Sequence, residues 1–413
     1  MDSRLREDAD KIIKAALCAA LPDTAVKEAL KELKRDPEGR LILVAAGKAA
    51  WQMAKTAQEV LGDAVDGGVV VTKYGHSKGP IGKLQIAEAG HPVPDENSFL
   101  GTQKAIEAVE GLEERDTVLF LVSGGGSALF EKPLIPGEEL QDITSQLLKC
   151  GADIVEMNTI RKRLSAVKGG RFAKLCAPAR VFAVVLSDIV GDPLDMIASG
   201  PAYPDQSTCG QALAIAEKYG LRLSAQAMEL LKQETPKSLS NVETHITGSV
   251  RQLCRAAQET AAQLGYRPVF LTAALSCEAR EAGTFLADIA KSHQDSGESL
   301  AFICGGETVV HLKGTGLGGR NQELALSAAI GIEGLRDTAL FSLGSDGTDG
   351  PTDAAGGFVD GSTLAVMREQ GIDPYGSLEN NDAYHALEAA GGLIRTGATG
   401  TNVNDLTVAL VRR

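Results

Sequence analysis

One pattern recurs along this 413-residue chain: a short, strongly apolar run ends in a glycine-rich turn, and a helical pattern follows. The runs LILVAA, TVLFLV and VFAVVL are clear cases. Near-continuous apolar strands that alternate with helices are typical of a largely parallel sheet covered on both faces. Because ligands bind outside the carboxyl ends of such strands, the glycine-rich turns are where we expect a functional site.

The length of the chain predicts two domains, because single hydrophobic cores stop growing beyond about 250–300 residues. Residues 205–240 are helical and polar in pattern, and a new strand–helix series begins near His245. We therefore predict an α/β fold with two domains, each a mostly parallel sheet flanked by helices. A larger, Rossmann-like N-terminal domain would cover residues 1–238, and a smaller α/β/α domain would cover residues 239–413.

The charge and composition of the chain limit the classes of molecule that it can bind. The chain has 41 Lys and Arg against 54 Asp and Glu, a formal net charge of −13, and only 4% aromatic residues. Nucleic-acid binding normally needs a basic patch or stacking aromatics, so we predict no nucleic-acid partner. No apolar run reaches the ~20 residues of a membrane span, so we predict no membrane partner. The charged start and seven scattered cysteines predict a cytoplasmic protein with reduced thiols.

Two turns in the first half carry groups that suit an anion. Lys48 follows Gly47 at the end of LILVAA and opens a helical pattern. A lysine there adds a formal charge to a helix start that already attracts anions, although a solvated lysine beside a turn glycine explains the pattern equally well. The second turn follows TVLFLV, and its backbone N–H groups can surround an oxyanion. We predict that it binds substrate or phosphate through Ser123, Gly124, Gly125, Gly126 and Ser127.

The segment NTIRKRLSAVKGGR concentrates basic residues in an otherwise acidic chain. On a helix, Asn158, Arg161 and Lys168 would share one polar face. A solvated basic face is the plain interpretation. We favour a binding site for a carboxylate or phosphate, because the pair of glycines directly follows Lys168.

Acidic residues follow two other strands. Asp188 and Asp192 come after VFAVVL, and Asp346 and Asp349 come after TALFSLG. Carboxylates at strand ends are where Mg²⁺ is held beside phosphates, although some must simply cap turns. We predict Asp188, Asp192 and Asp346 as metal ligands. Asp349 is our candidate for accepting a proton in catalysis.

The stretch GTGLGGRNQE opens a helical pattern after the run TVVHLK, which we read as a strand. Its glycines match the GxGxxG spacing of a dinucleotide site, with Asp346 as a ribose ligand. The guanidinium of Arg320 instead suits bidentate contact with a transferring phosphoryl group, and a surface ion pair is the plain alternative. We predict nucleotide binding by Gly305, Gly306, Glu307, Gly316, Gly318, Gly319 and Asn321.

Taken together, these motifs resemble the class II glycerate kinases, whose C-terminal part is called the MOFRL domain. The matching stretches include AAGKAAWQMA, HPVPDENS, LVSGGGSALFEKP and GSDGTDGPTDAAGG, and they run in family order from about residue 41 to the C-terminus. The resemblance implies phosphorylation of D-glycerate to 2-phosphoglycerate, with ATP and Mg²⁺ as cofactors. By that resemblance, Lys48 and Arg320 fall at the proposed active-site cations.

We therefore predict a glycerate 2-kinase that binds D-glycerate and a nucleotide in the cleft between its domains, with Lys48, Arg320 and Asp349 in catalysis. Two alternatives remain open. One is an NAD(P)-dependent hydroxypyruvate reductase, which would use the GxGxxG match but lacks an obvious catalytic histidine. The other is a protein that binds the hydroxy acid without catalysis. The sequence leaves the oligomeric state open, with a homodimer as one alternative.

Overall fold

The computed structural model describes residues 2–187 and 194–413, and the chain divides into two compact units. The central unit contains residues 25–187 and 194–247, and the terminal unit contains residues 2–24 and 248–413. This division differs from the predicted boundary at residue 238 in two ways. The strand at 242–247 stays with the central unit, and the first 24 residues belong to the terminal unit.

The central unit has a sheet whose strands all pair in parallel in the described part of the chain. The strand order is β3-β2-β1-β4-β5-β6, which is the order of a doubly wound nucleotide-binding fold. This confirms the Rossmann-like prediction. The strands are β1 (Leu41–Ala46), β2 (Gly67–Lys73), β3 (Leu84–Ala89), β4 (Thr117–Val122), β5 (Arg180–Leu186) and β6 (Val242–Thr247).

Helices cover both faces of this sheet, which is why β1 and β4 are apolar and buried at every position. On one face, Leu43, Leu119 and Phe182 pack in a common core. On the other, Phe120, Phe130 and Phe172 form a ring cluster with centroids 4.9–5.6 Å apart. The helices are α2 (Pro22–Leu30), α3 (Ala50–Leu61), α4 (Glu96–Ala108), α5 (Gly126–Leu129), α6 (Gly137–Lys149), α7 (Ile154–Arg161), α8 (Arg171–Cys176), α9 (Cys209–Lys218) and α10 (Ala225–Leu231).

The terminal unit has a mixed sheet in the order β11-β10-β9-β12-β8-β7. Strand β12 lies antiparallel between β8 and β9, and β7 and β8 are parallel. The α/β class is confirmed, but this sheet departs from the predicted parallel arrangement. A strand buried on both faces has the same apolar pattern in either direction, so its sequence does not reveal the direction. The strands are β7 (Arg267–Leu275), β8 (Leu300–Gly306), β9 (Thr338–Gly344), β10 (Gly356–Asp360), β11 (Leu393–Ile394) and β12 (Asp405–Val411).

Two helix layers cover this second sheet. Helix α1 packs against α11 and shares a core with the strands, through buried residues that include Leu5, Ile12 and Ile13. Helices α12 and α13 pack together in the other core. The helices are α1 (Ser3–Ala19), α11 (Val250–Gln263), α12 (Ala279–Ser292), α13 (Arg320–Gly331), α14 (Thr363–Glu369), α15 (Pro374–Glu379) and α16 (Ala383–Ala389). Among the described residues, no helix combines the length and apolar character needed to cross a membrane.

Candidate functional site

The strand order of the central unit reverses between β1 and β4, so the turns that follow these two strands lie side by side. Ala46 and Val122 are paired at the carboxyl ends of the strands. The turns are hydrogen-bonded to each other, from the Lys48 amide to the Gly124 carbonyl at 2.9 Å and from the Ala49 amide to Ser123 Oγ at 3.0 Å. In sheets of this order the reversal point is the ligand crevice. The structure thus brings together the two turns that the sequence predicted as anion sites.

The second turn presents backbone donors. Gly125 has φ +85°, which favours glycine. Within the described ranges, the amides of Gly124, Gly125 and Ser127 have no hydrogen-bond acceptor, and these residues are partly exposed. Neighbouring amides of this kind form an oxyanion nest. We call the Gly124, Gly125 and Ser127 amides the amide nest.

Lys48 and His91 lie next to the amide nest. A Cβ atom added to Gly125 would lie 3.1 Å from Lys48 Cε and 3.0 Å from His91 Cδ2. Lys48 is partly buried, and no carboxylate pairs with it in the part of the chain that the structure describes. Burial and the neighbouring Lys48 lower the pKa of His91, so its ring is neutral at neutral pH. His91 opens the stretch HPVPDENS, and that motif was the signal available for it in the sequence.

The basic segment also converges on this turn, but not through one helix face. Helix α7 ends at Arg161, and the chain then turns before Lys168. Both side chains donate to the Ser127 carbonyl, Arg161 Nη2 at 2.9 Å and Lys168 Nζ at 2.8 Å. Lys168 is fully buried, so we assign it to holding the turn rather than to direct contact with a ligand. Burial lowers its pKa to about 8.

A buried carboxylate balances part of this positive charge and was missed at the sequence level. Glu131 has no exposed surface and lies 3.3 Å from Lys168 Nζ and 4.0 Å from Arg161 Nη2. The three groups therefore carry a net positive charge behind the amide nest while Lys168 is protonated. The neighbouring Lys162 and Arg163 instead form ion pairs with the buried Asp205, a structural cluster.

In the terminal unit, Arg320 is held by carboxylates. Its Nε and Nη2 donate to the two oxygens of Asp405, at 2.5 and 2.9 Å, and Nη1 lies 3.3 Å from Glu307. These bonds raise the pKa of Arg320 above its usual value. The side chain remains about a third exposed, at 34%. The bidentate pair fixes the guanidinium plane and leaves further N–H donors for a ligand.

Asp349 caps α13. Its carboxylate accepts the backbone N–H groups of Asn321 at 3.1 Å and Gln322 at 2.8 Å, and it is only 3% exposed. Burial raises its pKa to about 6 despite these bonds. These bonds are those of a helix cap, and the predicted role of Asp349 in proton transfer stays a prediction.

The glycines predicted to bind nucleotide serve close packing in this structure. A Cβ atom on Gly305 would lie 2.6 Å from Cys254 Sγ, and one on Gly306 would overlap the Leu275 backbone. The turn before α13 packs against residues 380–383 and Asp349, and TVVHLK forms no strand there. Gly316, Gly318 and Gly319 lie in that turn, Glu307 contacts Arg320, and the Asn321 side chain bonds to Asp349 and Ser342. The nucleotide assignment of these residues stays a prediction.

The predicted metal ligands divide between described and undescribed residues. Asp188 and Asp192 lie outside the described residues. Asp346 Oδ1 accepts the Thr348 amide at 2.9 Å, and its second oxygen has no hydrogen-bond partner among the residues described. No group of three metal-binding side chains is assembled in those residues. Mg²⁺ is usually held by one or two carboxylates and the substrate phosphates, so the free oxygen of Asp346 fits that ion.

A wide groove of about 800 Å³ lies elsewhere on the central unit, beside the amino ends of β4 and β5. Its lining balances four basic side chains against four acidic ones: Lys34, Arg35, Arg115 and Arg180 against Asp36, Glu113, Glu114 and Asp116. It lies at the sheet edge opposite the amide nest. Because ligands of doubly wound sheets bind at the carboxyl ends of the strands, we assign this groove no function.

Family comparisons cover most of the chain. Residues 8–232 match the family described as a domain of unknown function, DUF4147, and residues 300–405 match the MOFRL family. A D-glycerate 2-kinase from Thermotoga maritima is 56% identical, over 98% of this chain and 98% of its own length. A protein from Agrobacterium vitis, provisionally named hydroxypyruvate reductase, is 40% identical over 99% of this chain and 95% of its own.

The fold itself has a solved counterpart. A crystal structure of glycerate kinase from Thermotoga maritima superimposes with a TM-score of 0.94 and 55% sequence identity. The match covers 99% of this chain and 100% of that chain. The similarity therefore extends over both units, including the amide nest and the Arg320 segment.

Proposed function

Since the chain belongs to the class II glycerate kinase family, we infer that it is a glycerate 2-kinase, an enzyme that transfers a phosphoryl group to the 2-hydroxyl of D-glycerate. The observation that carries this inference is the full-length similarity to a D-glycerate 2-kinase at 56% identity. The geometry agrees with it, because phosphoryl transfer requires positioned cations and anion-binding donors.

We propose that the amide nest binds the carboxylate of D-glycerate. Three N–H groups without an acceptor in the described ranges suit a carboxylate, and the net positive charge of Arg161, Lys168 and Glu131 supports an anion there. The ammonium of Lys48, which pairs with no carboxylate among the described residues, then stabilises negative charge that develops on the transferring phosphoryl group. The neutral ring of His91 adds no second charge that would compete for the carboxylate.

We propose that Arg320 contacts the transferring phosphoryl group in the same reaction. Its bidentate pair with Asp405 supports this role, because a fixed guanidinium loses little freedom when it binds oxygen atoms. The further contact to Glu307 holds the remaining edge in place until a more strongly charged ligand replaces it.

A kinase requires a phosphoryl donor, and we propose ATP with Mg²⁺. The second oxygen of Asp346, which accepts no hydrogen bond from the residues that the structure describes, supports a role for this residue in holding the ion. Bound Mg²⁺ would neutralise charge on the donor phosphates. The work of this chain's own residues is to bind the carboxylate, orient the 2-hydroxyl and hold Arg320 and Lys48 in place.

The reductase alternative is not favoured. A dinucleotide fingerprint lies between a strand and a helix, and the GxGxxG stretch here is preceded by residues that form no strand. Its amides are also engaged, since the Gly314 amide bonds to Asn381 Oδ1 at 3.0 Å and the Leu317 amide to Asp382 Oδ1 at 3.0 Å. These amides are therefore not free to receive a pyrophosphate.

The test is an assay of purified protein with D-glycerate, ATP and Mg²⁺, and in parallel with hydroxypyruvate and NADH or NADPH. We expect ATP consumption that depends on D-glycerate, formation of 2-phosphoglycerate, and loss of both when divalent metal is chelated. Oxidation of the reduced cofactor with hydroxypyruvate, without ATP turnover on glycerate, would favour the reductase. Binding of D-glycerate with neither reaction would favour a non-catalytic protein.

We propose a cytoplasmic location, which the free state of the seven cysteines supports. The homodimer stays a prediction, and light scattering of the purified protein would test it.

A further inference from the structure

Two hydroxyl groups and an amide form a chain behind the amide nest. Ser127 Oγ lies 3.1 Å from Ser199 Oγ, and Ser199 Oγ donates to Asn158 Oδ1 at 2.9 Å. Ser199 and Asn158 are buried, at 0% and 2% exposure, and Ser127 is partly exposed. The chain therefore runs from the surface of the site into the interior of the central unit.

The direction of these hydrogen bonds is determined by the number of protons. A hydroxyl has one proton, and an amide oxygen can only accept. Ser199 uses its proton for Asn158, so the proton between the two serines must belong to Ser127. The Asn158 amide nitrogen faces Met196 Sδ at 3.6 Å, and this orientation gives both ends of the amide a partner. Ser127 therefore donates inward, to Ser199.

The consequence is that Ser127 Oγ presents only lone pairs to the site. Lone pairs repel the oxygens of a carboxylate or phosphate, and they attract a group that donates a hydrogen bond. The adjacent amide nest and Lys48 have the opposite preference, because they present only donors. The site thus separates anionic groups of a ligand from its hydroxyl groups.

The inner end of this chain of hydrogen bonds restricts which hydroxyl group of the substrate can donate to Ser127. The 2-hydroxyl loses its proton when it is phosphorylated, and an amide oxygen such as Asn158 Oδ1 is a poor final acceptor for that proton. Ser127 therefore suits a hydroxyl that keeps its proton throughout the reaction. We propose that Ser127 accepts a hydrogen bond from the 3-hydroxyl of D-glycerate and determines the preference for it, an inference that rests on the proposed function.

Backbone contacts hold the two serines of this chain of hydrogen bonds in position. The Ser127 carbonyl is held by Arg161 and Lys168. Ser199 has φ +61°, a left-handed conformation that is costly for a residue with a side chain. Its carbonyl accepts the Gly169 amide at 3.0 Å, which supports that conformation. Ser199 and Asn158 are therefore positioning residues, which act through Ser127.

The experiment compares D-glycerate with D-lactate, which has the same carboxylate and 2-hydroxyl but no 3-hydroxyl. D-lactate is measured both as a phosphoryl acceptor and as a competitive inhibitor, so that discrimination is defined even for slow turnover. We expect Ser127→Ala to reduce the preference for D-glycerate over D-lactate by about tenfold to a hundredfold, the loss typical of one buried hydrogen bond. Ser127→Thr, which keeps the hydroxyl, should retain more of the preference.

Variants of Ser199 and Asn158 test the direction in which the hydrogen bonds of this chain are donated. Ser199→Ala frees the Ser127 proton to point into the site, so the preference should fall although Ser127 is intact. Asn158→Asp keeps an acceptor at the inner end and should preserve more of the preference than Asn158→Leu. Thermal midpoints of all variants check that each one folds.

Two results would overturn the assignment. One is a Ser127→Ala enzyme with the wild-type kcat and KM for D-glycerate. The other is an equal loss on both acids, which would place Ser127 at a group that they share. Failure of the wild-type enzyme to phosphorylate D-glycerate at all is a different result, and it would instead reject the proposed function.

Discussion

Lys48 has surroundings that differ from those of an ordinary surface lysine. It is partly buried beside the amide nest, and no carboxylate in the described residues pairs with it. We therefore expect Lys48→Met to lower kcat/KM for D-glycerate by about 10²–10³, the usual cost of removing one donor to a developing charge. Steady-state kinetics of the purified variant gives the measurement.

Lys55 provides the matched control, because it lies on α3, the helix that follows Lys48, and pairs with Glu59 at 3.2 Å on the surface. Lys55→Met should stay within about twofold of the wild type, since exposed ion pairs contribute little. Equal losses in the two variants would mean that the segment from Lys48 to the end of α3 tolerates no change of charge, and Lys48 would lose its special role.

Lys168 leads to a prediction about pH. Its pKa falls from 10.5 in the unfolded chain to about 8 in the folded one. Between these values the unfolded chain binds the proton more tightly, so the free energy of unfolding should rise with pH, by at most about 1.4 kcal/mol per pH unit. The stabilisation is complete above the unfolded pKa and is lost as pH falls through about 8.

The measurement is chemical unfolding of the wild type and of Lys168→Met from pH 7.5 to 9.5. As pH rises, the unfolding free energy of the wild type should increase relative to that of Lys168→Met. A constant difference would show that Lys168 keeps its proton over this range in the folded protein.

Single residues also show what the sequence could not reveal. The positions of Lys48 and Arg320 beside glycine turns were visible in the sequence as a spacing, and their catalytic roles stay predictions. The capping by Asp349 was not visible in this way, because its partners Asn321 and Gln322 lie 28 and 27 positions away and meet it only in the folded unit. Glu131 was equally invisible, since nothing local distinguishes a buried glutamate from an exposed one.

The turn between β4 and α5 is the element on which the proposed site depends. Gly125 has φ +85° and approaches both His91 and Lys48. Gly125→Ala adds backbone strain of about 1–2 kcal/mol and moves the amide nest, so we expect the KM for D-glycerate to rise at least about tenfold. Titration of initial rates against D-glycerate at saturating ATP measures it.

A variant of Gly111 serves as the control that distinguishes the effect of backbone strain from an effect on substrate binding. It also has a left-handed backbone, with φ +66°, and a Cβ atom there would meet nothing within 4 Å. Gly111→Ala should therefore lower the thermal midpoint without raising KM. If Gly111→Ala raised KM as much as Gly125→Ala, general destabilisation would explain both results.

At the level of elements, the sequence predicted the type of a secondary-structure element better than the direction of a strand within its sheet. The apolar runs correctly indicated β1, β4, β5 and β9. The antiparallel direction of β12 depends on which neighbours its backbone pairs with, and these are distant in sequence. The basic segment was predicted as one helix face, whereas α7 ends at Arg161 and the turn that follows brings Lys168 back to the same carbonyl.

The molecule as a whole is divided so that its first helix completes the unit built from its last 166 residues. Ile12 of α1 is fully buried in the core shared with α11. Ile12→Ala should therefore destabilise the terminal unit by about 2–5 kcal/mol. Chemical unfolding monitored by hydrogen exchange of α11 is the measurement, because it reports on this unit directly.

Lys11 is the neighbouring control, exposed on the same helix. Lys11→Ala should change the unfolding free energy by no more than about 0.5 kcal/mol. Protection of α11 that is unaffected by Ile12→Ala would mean that α1 is dispensable for the terminal unit.

The position of α1 has a consequence for how a ribosome delivers this protein. Residues 3–19 are synthesised well before their packing partner α11, which begins only at Val250. At about 5–20 residues per second, some 230 intervening residues take roughly 10–50 s to make. Throughout that interval the apolar side of α1 has no partner, while the central unit can already be complete. Helix α1 is thus translated long before it can be buried, and over that interval it exposes an apolar face of the kind that chaperones bind.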